Sequence, residues 1–360
     1  MSARFLAGLV SVVGSLGSLH IWAKDPQIQR VQYPTIESRS FVHNLPLPSE
    51  IEWIDDERVI FSGYEEGVEE ALPNGNRVLK EGIYIFSTKT GKALRHADGE
   101  LACFGRGRIR YVVRTFDGGN PRGKFTTYAG PLGTESEVPG FSRRTTIENR
   151  FSCTQYDRQK IPRVSGLPPY FLLEEHGYLE LTFSAEKTWQ DPVRFIRTDG
   201  RAISFPVKQI EMSSPKVKWY SQRGVYLIYD ASPSEVNDRS EPKKPKRIGV
   251  PKRLFLLSPD GALEILEIPY HAWHRGLGRF YLTKRGVLMV TRGRASSAAS
   301  YLEEVFLLRD DHWESILEAG GITNAAISAD GCRAAMGVAK RRAMRPLLQV
   351  IDLCGQGRWK

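Results

Sequence analysis

The chain has 360 residues, of which 41% are hydrophobic, so it can bury a large core and is not a chain that stays unfolded. Its length fits either two ordinary domains or one large β or α/β unit. The formal net charge of +10 favours an anionic partner, although it can equally serve solubility alone.

The N-terminal residues have the pattern of a secretory signal peptide. Arg4 precedes an apolar stretch from Phe5 to Ile21, and the small residue Ala23 comes just before Lys24. This pattern predicts a signal peptide over residues 1–23, cut after Ala23. The alternative is an uncleaved membrane anchor, which the three glycines and three serines of the stretch disfavour. No later apolar run approaches spanning length, so we expect a bacterial periplasmic or secreted protein with no transmembrane segment after signal removal. That compartment argues against nucleic acid as a partner.

Hairpin patterns of two alternating kinds follow. The first kind has two apolar runs split by Asp, Gly, Arg or Lys, and it occurs at residues 52–63, 101–114, 172–183, 217–230, 278–292 and 325–338. The second kind has an alternating strand, a tight polar turn and another short strand, and it occurs at residues 83–94, 124–140, 193–207, 253–269, 304–317 and 348–359. Each repeat therefore holds four strands.

Four-stranded repeats of this kind are typical of β-propeller blades. The sequence predicts an all-β fold, a six-bladed β-propeller of four-stranded antiparallel blades over residues 49–360. A helical solenoid is disfavoured because the chain shows almost no 3.6-residue apolar period after the signal.

The last blade needs a strand from elsewhere, because only GQGRWK follows its third strand. The N-terminal segment, residues 24–48, contains SFVHNLPLP at 40–48, which is similar to the fourth strands of other repeats. We expect this segment to close the ring and so remove an exposed sheet edge. The alternative is an ordered arm that lies elsewhere.

At this level the chain resembles the TolB-like family of six-bladed propellers, whose blades are similar to WD-type repeats. The residues that carry the resemblance are AISADGCRAAMGV at 326–338 and IYIFSTKTG at 83–91. One departure is SPDG at 258–261, which falls between the third and fourth strands of its repeat instead of the first and second. The resemblance implies a periplasmic interaction or scaffold protein, although propellers also host enzymes.

Four cysteines in an exported protein are candidates for disulfides. In the predicted blade, Cys332 opens the second strand and Cys354 follows the third, so these two should be neighbours. A disulfide between Cys103 and Cys153 would then be the second bond, and of the three possible pairings this one alone keeps both bonds local. The alternative is four reduced thiols. No CxxC spacing suggests a metal site.

Charge is concentrated in the predicted links between second and third strands. Residues 63–82 carry a net charge of −3, whereas residues 231–253 and 339–346 each carry +4. A basic arc on one rim would bind a protein partner or an anionic envelope component. The predicted binding residues are Lys243, Lys244, Lys246, Arg247, Lys340, Arg341 and Arg342. The alternative is that these links are merely solvated.

Enzymatic motifs are weak. The sequence HAWH places His271 and His274 near the inner end of the fifth blade, but a metal or catalytic site needs three or more converging groups. We therefore predict no cofactor, metal or catalytic residue, with a secreted hydrolase or lyase using these histidines as the alternative. Trp53, Trp219 and Trp273 are interpreted as packing between blades rather than as ligand-stacking residues.

Overall fold

The computed structural model describes residues 29–41, 50–72, 75–116, 123–138, 170–173, 177–183, 189–197, 199–205, 215–220, 223–230, 252–268, 275–292, 303–309, 312–339 and 347–355. These residues form strands β1 to β25 and no helix. The predicted all-β fold is therefore confirmed for this part of the chain, in which no helix is long and apolar enough to cross a membrane.

After two N-terminal strands, the described strands form units that we number one to six along the chain. The two N-terminal strands are β1 (Gln29–Arg30) and β2 (Thr35–Phe41). Units one and two contain β3 (Ile51–Trp53), β4 (Arg58–Ala71), β5 (Arg77–Ser87) and β6 (Lys92–Asp98), then β7 (Glu100–Gly105), β8 (Arg108–Thr115), β9 (Lys124–Pro131) and β10 (Ser136–Val138). Units three and four contain β11 (Tyr170–Leu173), β12 (Gly177–Phe183), β13 (Trp189–Arg197) and β14 (Ala202–Phe205), then β15 (Pro215–Tyr220), β16 (Val225–Asp230), β17 (Lys252–Leu257) and β18 (Leu263–Ile268). Units five and six contain β19 (Arg275–Thr283), β20 (Gly286–Arg292), β21 (Glu303–Arg309) and β22 (His312–Ala319), then β23 (Gly321–Ile327), β24 (Arg333–Ala339) and β25 (Leu347–Asp352).

Within each unit, every strand pairs antiparallel with the next strand along the chain. Units two, three and four are separate four-stranded sheets, whereas unit five gains β1 at its outer edge. Units six and one are joined through β2 into a single eight-stranded sheet. The predicted four-stranded antiparallel repeat is confirmed.

A Ser-x-Asp-Gly turn occurs at two different places in the repeat. Ser328–Gly331 joins the first two strands of unit six, and the Ser328 hydroxyl donates to Asp330 Oδ1 at 2.5 Å. Ser258–Gly261 makes the same kind of turn between the last two strands of unit four, with the Gly261 N–H bonded to the Ser258 carbonyl at 2.9 Å. Gly331 has φ +73°, and a Cβ there would lie 2.8 Å from the backbone nitrogen of Lys284. The motif therefore marks a tight turn and not one fixed position in the repeat.

Apolar side chains fill the spaces between neighbouring units. Buried clusters lie between units one and two, four and five, and five and six. A further cluster joins unit six to unit one, where Ile51 and Phe61 pack against Ala335 and Val350. The alternation of apolar residues along each strand explains this arrangement, because successive side chains point to opposite faces of a sheet. The last unit thus contacts the first.

The N-terminal segment extends along the edges of units five and six. β1 pairs parallel with β22, and the Tyr33 hydroxyl donates to Glu314 Oε2 at 2.5 Å. Burial, with this hydrogen bond, raises the pKa of Tyr33 to about 12. β2 then pairs antiparallel with β25, with Ile36 opposite Val350. The strand expected at residues 40–48 overlaps β2 only at residues 40 and 41, and residues 42–49 lie outside the described residues.

A disulfide joins Cys332 to Cys354 with a Cα–Cα distance of 5.2 Å, the pairing expected from the strand order. Cys332 lies in the turn before β24 and Cys354 just after β25, and the Leu353 N–H donates to the Cys332 carbonyl at 2.8 Å. Cys103 is also disulfide-bonded. Its predicted partner, Cys153, lies outside the described residues.

Replacing both Cys332 and Cys354 with Ala should lower the free energy of unfolding by about 3 kcal/mol, because the bond closes a loop with a sequence separation of 22. Urea unfolding of the variant and the wild-type protein measures the difference. Ser328→Ala, which alters the same turn without touching the bond, is the matched control and should cost less. Equal stability of wild type and double variant would contradict the prediction.

Candidate functional site

The residues predicted to bind an anionic partner lie outside the described residues. These are Lys243, Lys244, Lys246, Arg247, Lys340, Arg341 and Arg342. The same holds for His271, His274 and Trp273. Their predicted roles therefore remain predictions, and the site built below consists of described residues alone.

One predicted link has a different structure from the one expected. Residues 63–82, interpreted as an acidic loop, belong largely to β4 and β5, which pair as a long two-stranded ribbon. Glu69 lies opposite Leu79 in this ribbon, and its carboxylate lies 3.7 Å from Arg77. Both Glu69 and Arg77 are exposed, because a ribbon that extends past its sheet has little to pack against. Because many of its residues are polar, the ribbon lacks the apolar alternation that predicts a strand.

Charged and aromatic side chains from the first strands of units one, four and five approach one another. We call Glu52, Lys218, Arg279 and Tyr281 the inner-strand cluster; they lie on β3, β15 and β19. β19 and β3 also each contact β23, the first strand of unit six. Residues far apart in sequence are therefore neighbours around the first strands.

Lys218 and Tyr281 form the best-defined contact of the cluster. The Lys218 Nζ lies 5.6 Å from the centre of the Tyr281 ring, in the range of a cation–π interaction. The Tyr281 hydroxyl accepts a hydrogen bond of 3.1 Å from the backbone N–H of Ala325. Only 6% of Tyr281 is exposed, so its ring is held between units and presents a fixed face to the ammonium group.

Arg279 is fully engaged with unit six and with its own sheet. Its Nη2 donates to the Ile322 carbonyl at 2.6 Å and lies 3.5 Å from Glu303 Oε2. The same Glu303 oxygen accepts from the Ile322 N–H. A guanidinium and a carboxylate therefore satisfy both backbone groups of one residue, and their charges cancel.

Glu52 is the one acid of the inner-strand cluster. Burial raises the pKa of the Glu52 carboxyl, and the positive charge of Lys218 opposes the rise. The side chain keeps part of its surface accessible although protein atoms surround it.

Two buried tyrosines form the wall behind the cluster. Tyr220 is 3% and Tyr229 is 7% exposed. Burial, with the neighbouring Tyr281, raises the pKa of both, and the Tyr220 hydroxyl lies near the backbone of Leu282. The negative charge of Glu52 adds to the effect at Tyr220. The wall therefore stays neutral over the physiological range.

A second titratable group lies where units one and two meet. Burial, together with the charge of Glu100, raises the pKa of Glu81 to about 7. Tyr64 is directly opposite Glu81 in the ladder, and burial and both acids raise its pKa. The Glu81 carbonyl accepts from Arg95 at 3.3 Å and from the Gly99 N–H at 3.1 Å. This carboxyl therefore changes charge near neutral pH.

The inner-strand cluster brings together one carboxylate, one ammonium group, one guanidinium group and one phenol. No three His, Cys, Asp or Glu side chains of the described residues are close enough together to hold a metal ion. No sequence pattern predicted that Glu52, Lys218 and Tyr281 would belong to one cluster. The only available signal was a charged residue on each of two predicted first strands.

Of the three predicted packing tryptophans, Trp53 is fully described. It packs against the cluster between units six and one, and its indole N–H donates to the Ala326 carbonyl at 2.9 Å. Trp53 therefore joins two units, as the packing interpretation expects.

No protein-family model matches the chain, and no curated protein matches its sequence. Among solved structures it is similar to the α-L-arabinanase of Penicillium chrysogenum, with a TM-score of 0.38 and 13% identity over 90% of this chain and 99% of the other. Hydrazine synthase of Kuenenia stuttgartiensis gives a TM-score of 0.37 and 9% identity, with 88% and 98% covered. The β-propeller domain of the Trilobed protease of Pyrococcus furiosus gives 0.30 and 10%, with 83% and 80% covered. Scores this low do not establish a shared fold, and the resemblance to the TolB-like family remains a prediction.

Replacing Glu81 with Gln should flatten the dependence of stability on pH. Because the folded state raises the pKa of Glu81 from 4.5 to about 7, it holds this proton more tightly than the unfolded chain does. The resulting stabilisation is complete below pH 4.5 and is lost as the pH rises to about 7, by at most about 3 kcal/mol. Urea unfolding across this pH range measures it.

The control for this prediction is Glu137→Gln, which removes an exposed acid on β10 and should keep the wild-type decline. Glu100→Gln should move the decline to lower pH, because it removes the charge that adds to the burial of Glu81. A Glu81→Gln variant that declines as the wild type does would contradict the assignment.

Proposed function

We propose that this protein is an exported six-bladed β-propeller that works as a scaffold, presenting a charged loop face to a protein partner or an anionic envelope component. In this proposal the six units are blades, and β2 closes the ring as the fourth strand of the sixth. The Cys332–Cys354 disulfide supports export, because such bonds persist in oxidising compartments.

The observation that carries the proposal is the direction of the strands that flank the basic segments. β16 ends at Asp230, opposite Pro215 at the start of β15, and β24 ends at Ala339, opposite Gly321 at the start of β23. Each second strand therefore ends beside the beginning of the first strand of its unit. Segments 231–251 and 340–346 therefore begin at equivalent ends of units four and six. Unit five lies between these two units.

Charge makes this end suited to an anionic partner. Residues 231–253 and 340–346 each carry a net charge of +4. Clustered cations attract an anionic surface over roughly a Debye length, about 8 Å at physiological salt, so binding should weaken as salt increases. Long links on a rigid scaffold are also where binding groups usually lie.

The second candidate function is a hydrolase or lyase that uses His271 and His274. It is favoured by the position of β19, which follows these histidines directly and contributes Arg279 and Tyr281 to the inner-strand cluster. The test is hydrolysis of 4-nitrophenyl esters or glycosides. Activity in the wild type that is lost when both His271 and His274 are replaced with Ala would support this candidate over the scaffold.

Replacing Lys243, Lys244, Lys340 and Arg341 with Gln should weaken binding to phosphatidylglycerol vesicles at least tenfold, since each cation near an anionic surface contributes about 1 kcal/mol. Co-sedimentation at low and high salt measures the affinity. Wild-type binding should fall steeply as salt rises, and phosphatidylcholine vesicles should not bind.

The matched control replaces four exposed cations at turns on the opposite ends of the strands, namely Lys89, Arg201, Arg223 and Lys284. The net charge of this variant equals that of the first, so only the position of the charge differs. Equal loss in both variants would contradict a specific basic rim, and affinity unchanged by salt would contradict an electrostatic site.

A further inference from the structure

An exposed surface of aromatic and basic side chains lies in unit two, where β8 ends and β9 begins. Arg114 of β8 is directly opposite Phe125 of β9, and Thr115 is opposite Lys124. The Phe125 side chain is 42% exposed, and Arg114 and Lys124 are exposed as well. We call Arg114, Phe116, Lys124 and Phe125 the unit-two patch.

Stacking of a cation on two rings holds the unit-two patch together. The Arg114 Cζ lies 4.5 Å from the centre of the Phe116 ring and 5.4 Å from the centre of the Phe125 ring, both in the range of a cation–π interaction. Gly123 leaves room for this arrangement. It has φ +69°, and a Cβ there would lie 2.8 Å from the Thr115 carbonyl oxygen and 3.2 Å from Arg114 Cγ. The two rings and the guanidinium group therefore form one surface.

The unit-two patch lies at the end of its unit that corresponds to the start of the basic segments in units four and six. Glu100, the first residue of β7, is opposite Val112, near the end of β8. The second strand of unit two thus ends beside the beginning of its first strand, as in units four and six. In the ring that the proposed function describes, equivalent ends of the blades lie on one face, so the patch belongs to the same face as the basic segments.

An exposed aromatic ring beside cations suits the surface of an anionic bilayer. A ring gains free energy when it leaves water for the apolar side of the headgroup region, while Arg and Lys side chains reach back to the lipid phosphates. Residues 114–124 have the required charge, since three cations against Asp117 give a net charge of +2.

The size of the unit-two patch also favours a lipid surface over a protein partner. A stable protein interface uses roughly 20 to 30 residues on each side, far more than this patch offers. Binding to a bilayer instead adds the burial of individual apolar side chains to the attraction between cations and anionic lipids. One exposed ring flanked by cations therefore contributes without a large complementary surface.

We propose that the unit-two patch is a membrane-insertion point, and that the partner of the charged loop face is the surface of an anionic phospholipid bilayer. Phe125 enters the interface, Arg114 and Phe116 support its ring, and Lys124 meets a lipid phosphate. This inference rests on the proposed function, because it names the partner of the same face. It adds an apolar contribution to binding, which salt does not screen as it screens charges.

The first test is co-sedimentation of the full chain with phosphatidylglycerol vesicles after Phe125→Ser, which leaves the net charge unchanged. Binding should weaken about fivefold at both low and high salt, because the lost contribution is apolar. Leu94→Ser and Ile265→Ser are the matched controls, since these side chains are 72% and 50% exposed and lie on β6 and β18, the last strands of units one and four. Both controls should bind as the wild type does.

The second test uses Phe125→Trp, which keeps an aromatic ring at the patch and reports insertion directly. Its fluorescence should shift to shorter wavelength when phosphatidylglycerol vesicles are added, and brominated lipid should quench it. The wild-type spectrum is subtracted, because the chain contains other tryptophans. Ile265→Trp should show no shift. If Phe125→Ser does not fold, as judged by circular dichroism, Phe125→Trp decides the result.

Vesicle binding of Phe125→Ser equal to that of the wild type, or Phe125→Trp fluorescence unchanged by vesicles, would overturn the inference. Soluble polyglutamate separates the inference from the proposed function, since it offers anions without a bilayer. A wild type that binds polyglutamate in a salt-dependent way but does not bind vesicles would keep the charged face and overturn the lipid partner. Vesicle binding that is independent of salt and lost in Phe125→Ser would support the insertion point and contradict the electrostatic face.

Discussion

The pairing of β2 with β25 brings an early part of the chain against its last described strand. Thr35 lies opposite Ile351, and Ile36 opposite Val350, while the Gln349 amide donates to Glu37 Oε1 at 2.6 Å. The Asp352 N–H donates to the Pro34 carbonyl at 2.9 Å. Without β2, the outer edge of β25 would present unpaired backbone groups to solvent or to another chain. Its pairing is also what joins unit six and unit one into a single sheet.

The contact between units six and one has consequences for the interior. Trp53 bonds to the Ala326 carbonyl, and the apolar cluster that includes Ile51 and Phe61 fixes β3 beside β23. The adjacent residue, Glu52, then points away from that cluster, since neighbouring side chains of a strand alternate between faces. Its position near Lys218 follows from β3 and β15 both being first strands. The inner-strand cluster is thus a product of how units are arranged and not of any local motif.

Much of the strand order could be predicted from the sequence because it is local. Each hairpin is encoded by an apolar alternation and a turn such as that at Gly91, which has φ +66° and bonds its N–H to the Ser87 carbonyl at 2.9 Å. The Cys332–Cys354 pairing follows from the same local order. These features need no knowledge of contacts between distant units.

The features that sequence analysis missed depend on long-range contacts or on exposed backbone pairing. The parallel pairing of β1 with β22 involves only Gln29 and Arg30, which carry no apolar signal. Residues 35–41, TIESRSF, were not predicted as a strand because they carry few apolar residues and pair with β25 through their backbone. The β4–β5 ribbon was interpreted as a loop for the same reason. The contact between Lys218 and Tyr281 could not be inferred, since no sequence pattern near either residue predicts it.

Hydrogen exchange followed by mass spectrometry tests the closing contact most directly. The pairing with β25 predicts that peptides covering residues 35–41 exchange slowly in the native protein and lose protection together with peptides covering 347–352 as urea is added. Rapid exchange of 35–41, at the rate of an unstructured peptide while 347–352 stays protected, would contradict the account.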